Sequence, residues 1–114
     1  MSISLRRGDV WYVNLDPVRG REQGRTRPAL IVSADTFNGG PAELVIVVPI
    51  TTADRRIPTH IRIDPPEGGL TRRCFAKSED IRSISTLRLQ NRIGRVTDAT
   101  LASVEDALII LLGL

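Results

Sequence analysis

Short apolar segments alternate with polar turns along most of the chain, and this pattern predicts β-strands. Residues 9–15 alternate in polarity and are rich in β-branched and aromatic side chains, which is typical of a strand. Six further segments are predicted to be short strands for the same reason: residues 29–33, 43–50, 59–63, 74–76, 81–84 and 93–96. Gly, Pro and Asn cluster between these segments and mark the turns.

The end of the chain has a helical period instead. From Asp98 the apolar positions recur at spacings of 3, 4, 3 and 1, which defines one face of an α-helix: Leu101, Val104, Leu108, Leu111 and Leu112. Thr97 or Asp98 can cap its start and Gly113 its end. Ile109 and Ile110 widen the apolar face, so we expect this helix to cover the sheet and also to meet a partner.

The order of these elements indicates a mainly β protein with a C-terminal α-helix. Many short strands at close spacing, followed by one helix, predict a small twisted β-barrel with a packed helix. Residues 86–91 are predicted to form a single helical turn between the last strands. No repeat, linker or low-complexity tract interrupts the pattern, so residues 1–114 are predicted to be one domain.

The amino-acid composition indicates a globular protein and argues against a membrane or secreted one. The 41% hydrophobic content is typical of a globular protein, and the longest apolar run is far below the roughly 20 residues of a transmembrane helix. The N-terminus lacks the apolar region of a signal peptide, so no membrane association and a cytoplasmic location are expected. The net charge is +3, and Lys77 is the one lysine among 16 basic residues. This arginine bias suits nucleic-acid binding, although codon bias in a GC-rich genome produces it as well.

Motifs for metal or nucleotide chemistry are absent from the sequence. The chain has one His, one Cys and no closely spaced ligand pair, so no metal site is predicted. No Gly-rich phosphate loop is present, and no cofactor is expected. His60 lies in a predicted strand and is interpreted as a half-buried strand residue rather than a general base. Cys74 is interpreted as a small core side chain.

The connection at residues 20–28 is the most polar segment near the predicted strands. It reads Gly-Arg-Glu-Gln-Gly-Arg-Thr-Arg-Pro and includes Glu22, Arg25 and Arg27. If strands 29–33 and 43–50 are antiparallel neighbours, Arg27 enters one strand where Thr51 leaves the other. A guanidinium beside a hydroxyl can stabilise a phosphate without metal. Spacing alone nevertheless favours a structural role, with Arg27 in a salt bridge and Thr51 capping a turn.

An ordered set of motifs resembles the MazF/PemK (Kid) toxin family over nearly the whole chain. One short tripeptide would be weak support, whereas a set in the same order with compatible spacing is specific. The set comprises Arg7-Gly8-Asp9-Val10-Trp11, Leu15-Asp16-Pro17, Gly20, Glu22-Gln23-Gly24, Arg27-Pro28, Phe37-Asn38, Val48-Pro49-Ile50-Thr51, Pro58-Thr59-His60, Gly69-Leu70, Ile81-Arg82-Ser83-Ile84, Arg88-Leu89 and Ile93-Gly94-Arg95-Val96.

The resemblance implies an SH3-like barrel of the CcdB/PemK type and a function. Such toxins are metal-independent mRNA interferases of type II toxin-antitoxin systems, which cut single-stranded RNA to 2′,3′-cyclic phosphate and 5′-hydroxyl ends. The resemblance assigns catalysis to Arg27, Thr51 and Glu22. It assigns RNA contacts to Arg19, Gln23, Arg25, Thr52 and Glu79.

The same resemblance implies the partners. A homodimer is expected, together with a MazE-like antitoxin whose disordered acidic C-terminal segment lies along the basic groove. Arg25 and Asp80 depart from the family pattern, in which a small residue and Gln are common, so both are expected to affect target choice. Two alternatives remain open at this point: a CcdB-like toxin that acts on a protein such as DNA gyrase, and a plain RNA- or peptide-binding barrel.

Overall fold

The computed structural model describes residues 4–16, 20 and 25–114 of the chain. Within these residues the chain is mainly β, as predicted, with seven strands and a long C-terminal helix. The strands are β1 (Asp9–Asn14), β2 (Thr26–Ile31), β3 (Leu44–Thr51), β4 (His60–Ile63), β5 (Cys74–Lys77), β6 (Arg82–Ser85) and β7 (Leu89–Arg95). The helices are α1 (Asp35–Asn38) and α2 (Asp98–Leu112), and three single 3₁₀ turns occupy Glu67–Gly69, Ser78–Asp80 and Thr86–Arg88.

The sheet is antiparallel and forks along β3. The strand order is β4-β5-β3-β2-β1-β7, with β6 also paired to β3. The first half of β3 pairs with β6 at Leu44 to Val47, and its last two residues pair with β5. One long strand therefore belongs to both halves of a strongly bent sheet, which agrees with the predicted barrel.

Alternating side chains on the central strands fill two apolar clusters. In β2, Leu30 packs into one cluster, whereas Ala29 and Ile31 pack into the other. In β3, Val48 and Val47 divide between the clusters in the same way. Both faces of these strands are therefore buried, which explains why β3 is apolar at nearly every position.

Two glycines allow the backbone of β7 to touch the 3₁₀ turn before β5. A Cβ on Gly69, whose φ is +72°, would lie 1.8 Å from the carbonyl oxygen of Ile93. A Cβ on Gly94 would lie 2.4 Å from the carbonyl carbon of Gly68. Only glycine permits this approach, so these residues fix how β7 packs against the turn.

The C-terminal helix begins and ends at the residues that the sequence indicates. The Thr97 side chain accepts a hydrogen bond from the Thr100 amide at the start, and Gly113 adopts φ 68° at the end. Leu101, Val104 and Ala107 are buried against the sheet. No helix in the described part of the chain is long and apolar enough to cross a membrane.

The predicted helix face extends further than the buried face. Leu111 and Leu112 belong to the predicted face, yet they are 40% and 56% exposed. Ile110 and Leu114 are 77% and 84% exposed. The last turn of α2 therefore passes beyond the sheet and presents apolar side chains to solvent.

Two strands start earlier than the sequence pattern predicts. β2 starts at Thr26 rather than at residue 29. Pro28 lies inside this strand, opposite Tyr12 of β1, whereas the pairing of β2 with β3 begins only at Ala29. The β7 strand starts at Leu89 rather than at residue 93. The sequence pattern did not indicate its first four residues, because they are largely exposed at the sheet edge and carry no apolar alternation. The sequence analysis also missed α1, a single helical turn.

Candidate active site

Arg27 and Thr51 lie on neighbouring central strands at the same end of the sheet. In the β2–β3 register, Ala29 is opposite Pro49 and Leu30 is opposite Val48. The recorded pairing ends at Ala29 and Pro49, and two residues further along each strand lie Arg27 and Thr51, at the same end of the two strands. The predicted antiparallel pairing of the two strands is therefore confirmed, and it brings the two side chains to one rim.

The environment of Arg27 leaves its charge open to solvent. The residue is exposed, and its strand partner on the other side is Val13 of β1. Among the residues that the structure describes, its guanidinium makes no ion pair. The salt bridge that spacing alone favoured for Arg27 is therefore not found in this part of the chain.

Thr51 ends β3 and holds the turn that follows. Its Oγ1 accepts a hydrogen bond from the Ala53 amide at 3.1 Å, so the expected turn-capping role is present. The residue is half-buried and pairs with Phe75 of β5. A hydroxyl that accepts from a backbone amide still has its own hydrogen to donate, so capping and phosphate binding are compatible. Thr52, the next residue, is exposed.

Arg25 closes the base of the β1–β2 connection through its backbone. Its amide donates to Asp16 Oδ1 at 2.8 Å, and its carbonyl oxygen accepts from the Leu15 amide at 2.9 Å. The residue has φ 63°, in the left-handed region that a non-glycine residue rarely adopts. The side chain is exposed, two positions before Arg27.

Two arginines that the sequence analysis gave no role bind the same connection. Arg82 Nη2 donates to the Leu15 carbonyl at 2.6 Å. Arg88 Nη1 donates to the Asn14 carbonyl at 3.2 Å and to the Asp16 carbonyl. Both arginines lie within motifs of the family resemblance, which was the only signal that could have found them, since 67 to 74 residues separate the partners.

Glu79 lies in a separate polar cluster beyond the end of β5. Its Oε2 is 2.5 Å from His60 Nε2, and its Oε1 accepts from Thr59 Oγ1 at 2.9 Å. Burial raises the pKa of Glu79, but hydrogen bonds from its own backbone amide, His60 and Thr59 outweigh burial and hold that pKa below its ordinary value. His60 is buried, deeper than the predicted half-buried strand residue. The structure thus ties Glu79 to the outer strand β4 rather than to the Arg27–Thr51 rim.

Three predicted site residues lie outside the described residues: Arg19, Glu22 and Gln23. Within the described part of the chain, no three His, Cys, Asp or Glu side chains come close enough together to hold a metal ion. Cys74 is buried, and burial raises the pKa of its thiol while the nearby Arg72 lowers it. This matches its predicted role as a core side chain.

The fold agrees with one protein family. The family model for PemK-like, MazF-like toxins of type II toxin-antitoxin systems matches residues 6–112. The chain therefore belongs to this family, and the predicted resemblance is confirmed.

Individual relatives support the same assignment. The chain is 41% identical over 109 residues to endoribonuclease MazF9 of Mycobacterium tuberculosis, which covers 91% of this chain and 92% of that protein. A crystal structure of MazF from Deinococcus radiodurans superposes with a TM-score of 0.88 at 25% identity, covering 99% of this chain and 100% of that one. An endoribonuclease from a mycobacterial species, solved in complex with its cognate antitoxin, gives a TM-score of 0.77 at 29% identity and covers 96% of each chain. These matches do not favour the CcdB-like alternative.

Proposed function

We propose that this chain is the toxin of a type II toxin-antitoxin system and cleaves single-stranded mRNA at specific short sequences. The observation that carries the proposal is the Arg27–Thr51 pair on adjacent strands, in a family member 41% identical to a named endoribonuclease. Residues 1–114 act as one domain, in the cytoplasm, where mRNA is available. Cleavage stops translation and growth.

The proposed reaction uses the RNA as its own nucleophile. The 2′-oxygen loses its proton and attacks the adjacent phosphorus, while the bond from phosphorus to the 5′-oxygen breaks and that oxygen takes up a proton. The products are a 2′,3′-cyclic phosphate and a 5′-hydroxyl. Arg27 stabilises the charge that develops on the non-bridging oxygens, and the Thr51 hydroxyl donates to one of them and orients the phosphate.

Proton transfer is assigned to the β1–β2 connection. Glu22 is the proposed acid–base group, because a carboxylate can accept the 2′-proton. Arg25 and Arg27 are the competing candidates for this role. RNA contacts are proposed for Arg19, Gln23, Arg25 and Thr52 around the rim and for Glu79 in the separate cluster with His60 and Thr59.

A homodimer is the proposed working form. The last turns of α2 offer a contact surface, because residues 107–114 carry no charged side chain and several of them are exposed. Ile110 and Leu112 are 77% and 56% exposed. A second copy presents the same apolar surface, so the contact is self-complementary about a two-fold axis.

A MazE-like antitoxin is the proposed regulator. A disordered acidic C-terminal segment suits a chain of net charge +3 whose rim carries Arg25 and Arg27. Such a segment would fold along the basic groove on binding and exclude RNA.

The test is cleavage of mixed RNA by the purified protein in excess EDTA. Discrete fragments with 5′-hydroxyl and 2′,3′-cyclic phosphate ends are expected, and sequencing of the 5′ ends gives the target sequence. The control protein is Arg95→Ala, whose guanidinium pairs with Asp9 at the start of β1, the end away from Arg27. Intact RNA with the wild-type protein would leave a binding module or a protein-directed toxin as the explanation.

A further inference from the structure

The connection between β1 and β2 carries most of the proposed site, and its described ends are joined to each other. The Leu15 amide donates to the Arg25 carbonyl at 2.9 Å, and the Arg25 amide donates to Asp16 Oδ1 at 2.8 Å. These bonds set where the chain re-enters the sheet, two residues before Arg27. Any movement of residues 14–16 would therefore be passed on to Arg27.

Residues 14–16 lie past the last residue pair between β1 and β7. The pairing of β1 with β7 ends at Val13, which is opposite Leu89. Past Val13, β7 offers no ladder partner, so backbone carbonyls there need other donors or water. The carbonyls of Asn14, Leu15 and Asp16 are the groups in question.

Two guanidiniums supply the missing donors. Arg82, on β6, donates to the Leu15 carbonyl at 2.6 Å, and Arg88, just before β7, donates to the carbonyls of Asn14 and Asp16. We refer to Arg82 and Arg88 as the carbonyl clamp. The planar guanidinium holds its N–H groups in a fixed geometry, so the clamp fixes the direction as well as the position of the connection.

The acceptors in the clamp are neutral, which matters for chemistry at the rim. Within the described residues, Arg82 and Arg88 bind backbone oxygens and no carboxylate, so both retain their full positive charge. A purely structural contact needs no such charge. The two cations are held at the base of the connection that leads to Arg27, and they require no movement when the transition state forms.

We propose that Arg82 and Arg88 are positioning residues for the ribonuclease reaction, which hold the base of the β1–β2 connection so that Arg25 and Arg27 face the scissile phosphate. This inference rests on the proposed function. Arg82 and Arg88 act through the connection and do not touch the reacting atoms.

The test compares Arg82→Met and Arg88→Met with Arg95→Met, which also removes one guanidinium but lies at the start of β1, away from Val13 and Arg27. Steady-state cleavage of an RNA oligonucleotide carrying the target sequence gives kcat and KM. Because small displacements of catalytic groups cost up to about 100-fold in rate, kcat is expected to fall by about 10- to 100-fold in the clamp variants, with little change in KM. Arg82→Lys is expected to recover most of the rate, since an ammonium can still donate to one carbonyl.

Hydrogen exchange provides a readout that does not depend on activity. The amides of Leu15 and Arg25 are expected to exchange faster in the clamp variants, whereas amides in the β2–β3 pairing keep their wild-type rates. Arg88→Met keeps the test available if Arg82→Met does not fold, because the Arg88 hydrogen bonds lie at the exposed surface.

The failures can be told apart. If wild-type protein cuts RNA and the clamp variants match it in kcat, or if the Leu15 and Arg25 amides are unaffected, the positioning role is wrong. A raised KM with unchanged kcat would also overturn it, because that result indicates direct contact with RNA. If the wild-type protein cuts no RNA, the proposed function fails, and the positioning role fails with it.

Discussion

The two ends of β1 use arginine in different ways. At its start, the buried Asp9 carboxylate binds Arg92 and Arg95, with Nε to Oδ2 and Nη1 to Oδ1 distances of 3.3 Å each. Where β1 ends, the nearby guanidiniums bind backbone carbonyls, in the case of Arg82 and Arg88, or make no ion pair among the described residues, in the case of Arg27.

This difference separates a structural from a functional use of the same side chain. A carboxylate partner balances the positive charge of a guanidinium and joins β1 to the edge strand β7, so this charge is not available to a ligand. A carbonyl partner holds a guanidinium in place and leaves its charge available. At the Arg27 end of β1 the guanidinium charge is therefore available to a polyanion, whereas at the Asp9 end it is balanced within the fold.

The largest effect is expected from Arg27→Ala and from Thr51→Ala. Loss of one contact to the developing oxyanion costs about 10²- to 10³-fold in kcat. Thermal unfolding of Arg27→Ala should remain at the wild-type temperature because Arg27 is exposed, whereas Thr51→Ala also loses the hydrogen bond from the Ala53 amide and should unfold at a slightly lower temperature. Cleavage assays on the target oligonucleotide measure the first quantity and calorimetry the second. Wild-type cleavage by either variant would show that the site is elsewhere.

A stability effect without an activity effect is expected from Asp9→Asn. The substitution removes the charge that Arg92 and Arg95 share, and loss of a hydrogen-bonded buried charge costs about 1–3 kcal/mol. Urea unfolding should show a lower free energy of unfolding, whereas RNA cleavage well below the unfolding temperature should be unchanged. A fall in kcat with unaltered stability would mean that both ends of β1 serve catalysis.

A smaller effect is expected in the salt dependence of RNA binding. Each phosphate contact contributes about 0.7 to the slope of log K against log salt concentration for a single strand. With an uncleavable RNA analogue, Arg27→Ala should reduce the slope by about that amount. Arg95→Ala, the matched removal of a carboxylate-bound guanidinium, should leave the slope unchanged. Equal reductions of the slope in the two variants would show that the two ends of β1 do not differ in their contact with RNA.

The smallest effect is expected in the pH dependence of stability. The pKa of Glu79 lies below its ordinary value in the folded chain, so its stabilising contribution is complete above the ordinary glutamate pKa and is lost as pH falls through the folded value. The difference in free energy of unfolding between wild type and Glu79→Gln should therefore shrink on acidification from neutral pH. A difference that grew with acid would place a protonated Glu79 in the folded cluster.

Local patterns account for most of the secondary structure. β1, β3, β4 and β5 follow the predicted ranges to within a residue or two, because each is buried on at least one face and alternation or continuous apolar sequence marks such strands. The exposed β7 has no such mark, since its early residues contact little besides β1. The start of β2 was missed because proline usually marks the end of a strand. Proline is tolerated at position 28 because it pairs with β1 only.

The sequence by itself determined a mainly β chain with a capped C-terminal helix, and its ordered motifs pointed to the toxin family and to Arg27 and Thr51. Tertiary structure decided which guanidiniums keep their charge. Arg82, Arg88, Arg92 and Arg95 are alike in sequence, and their partners lie 67 to 88 residues away. The packing of the strands and turns determines which of them meets a carboxylate, and no local pattern encodes contacts made over such distances.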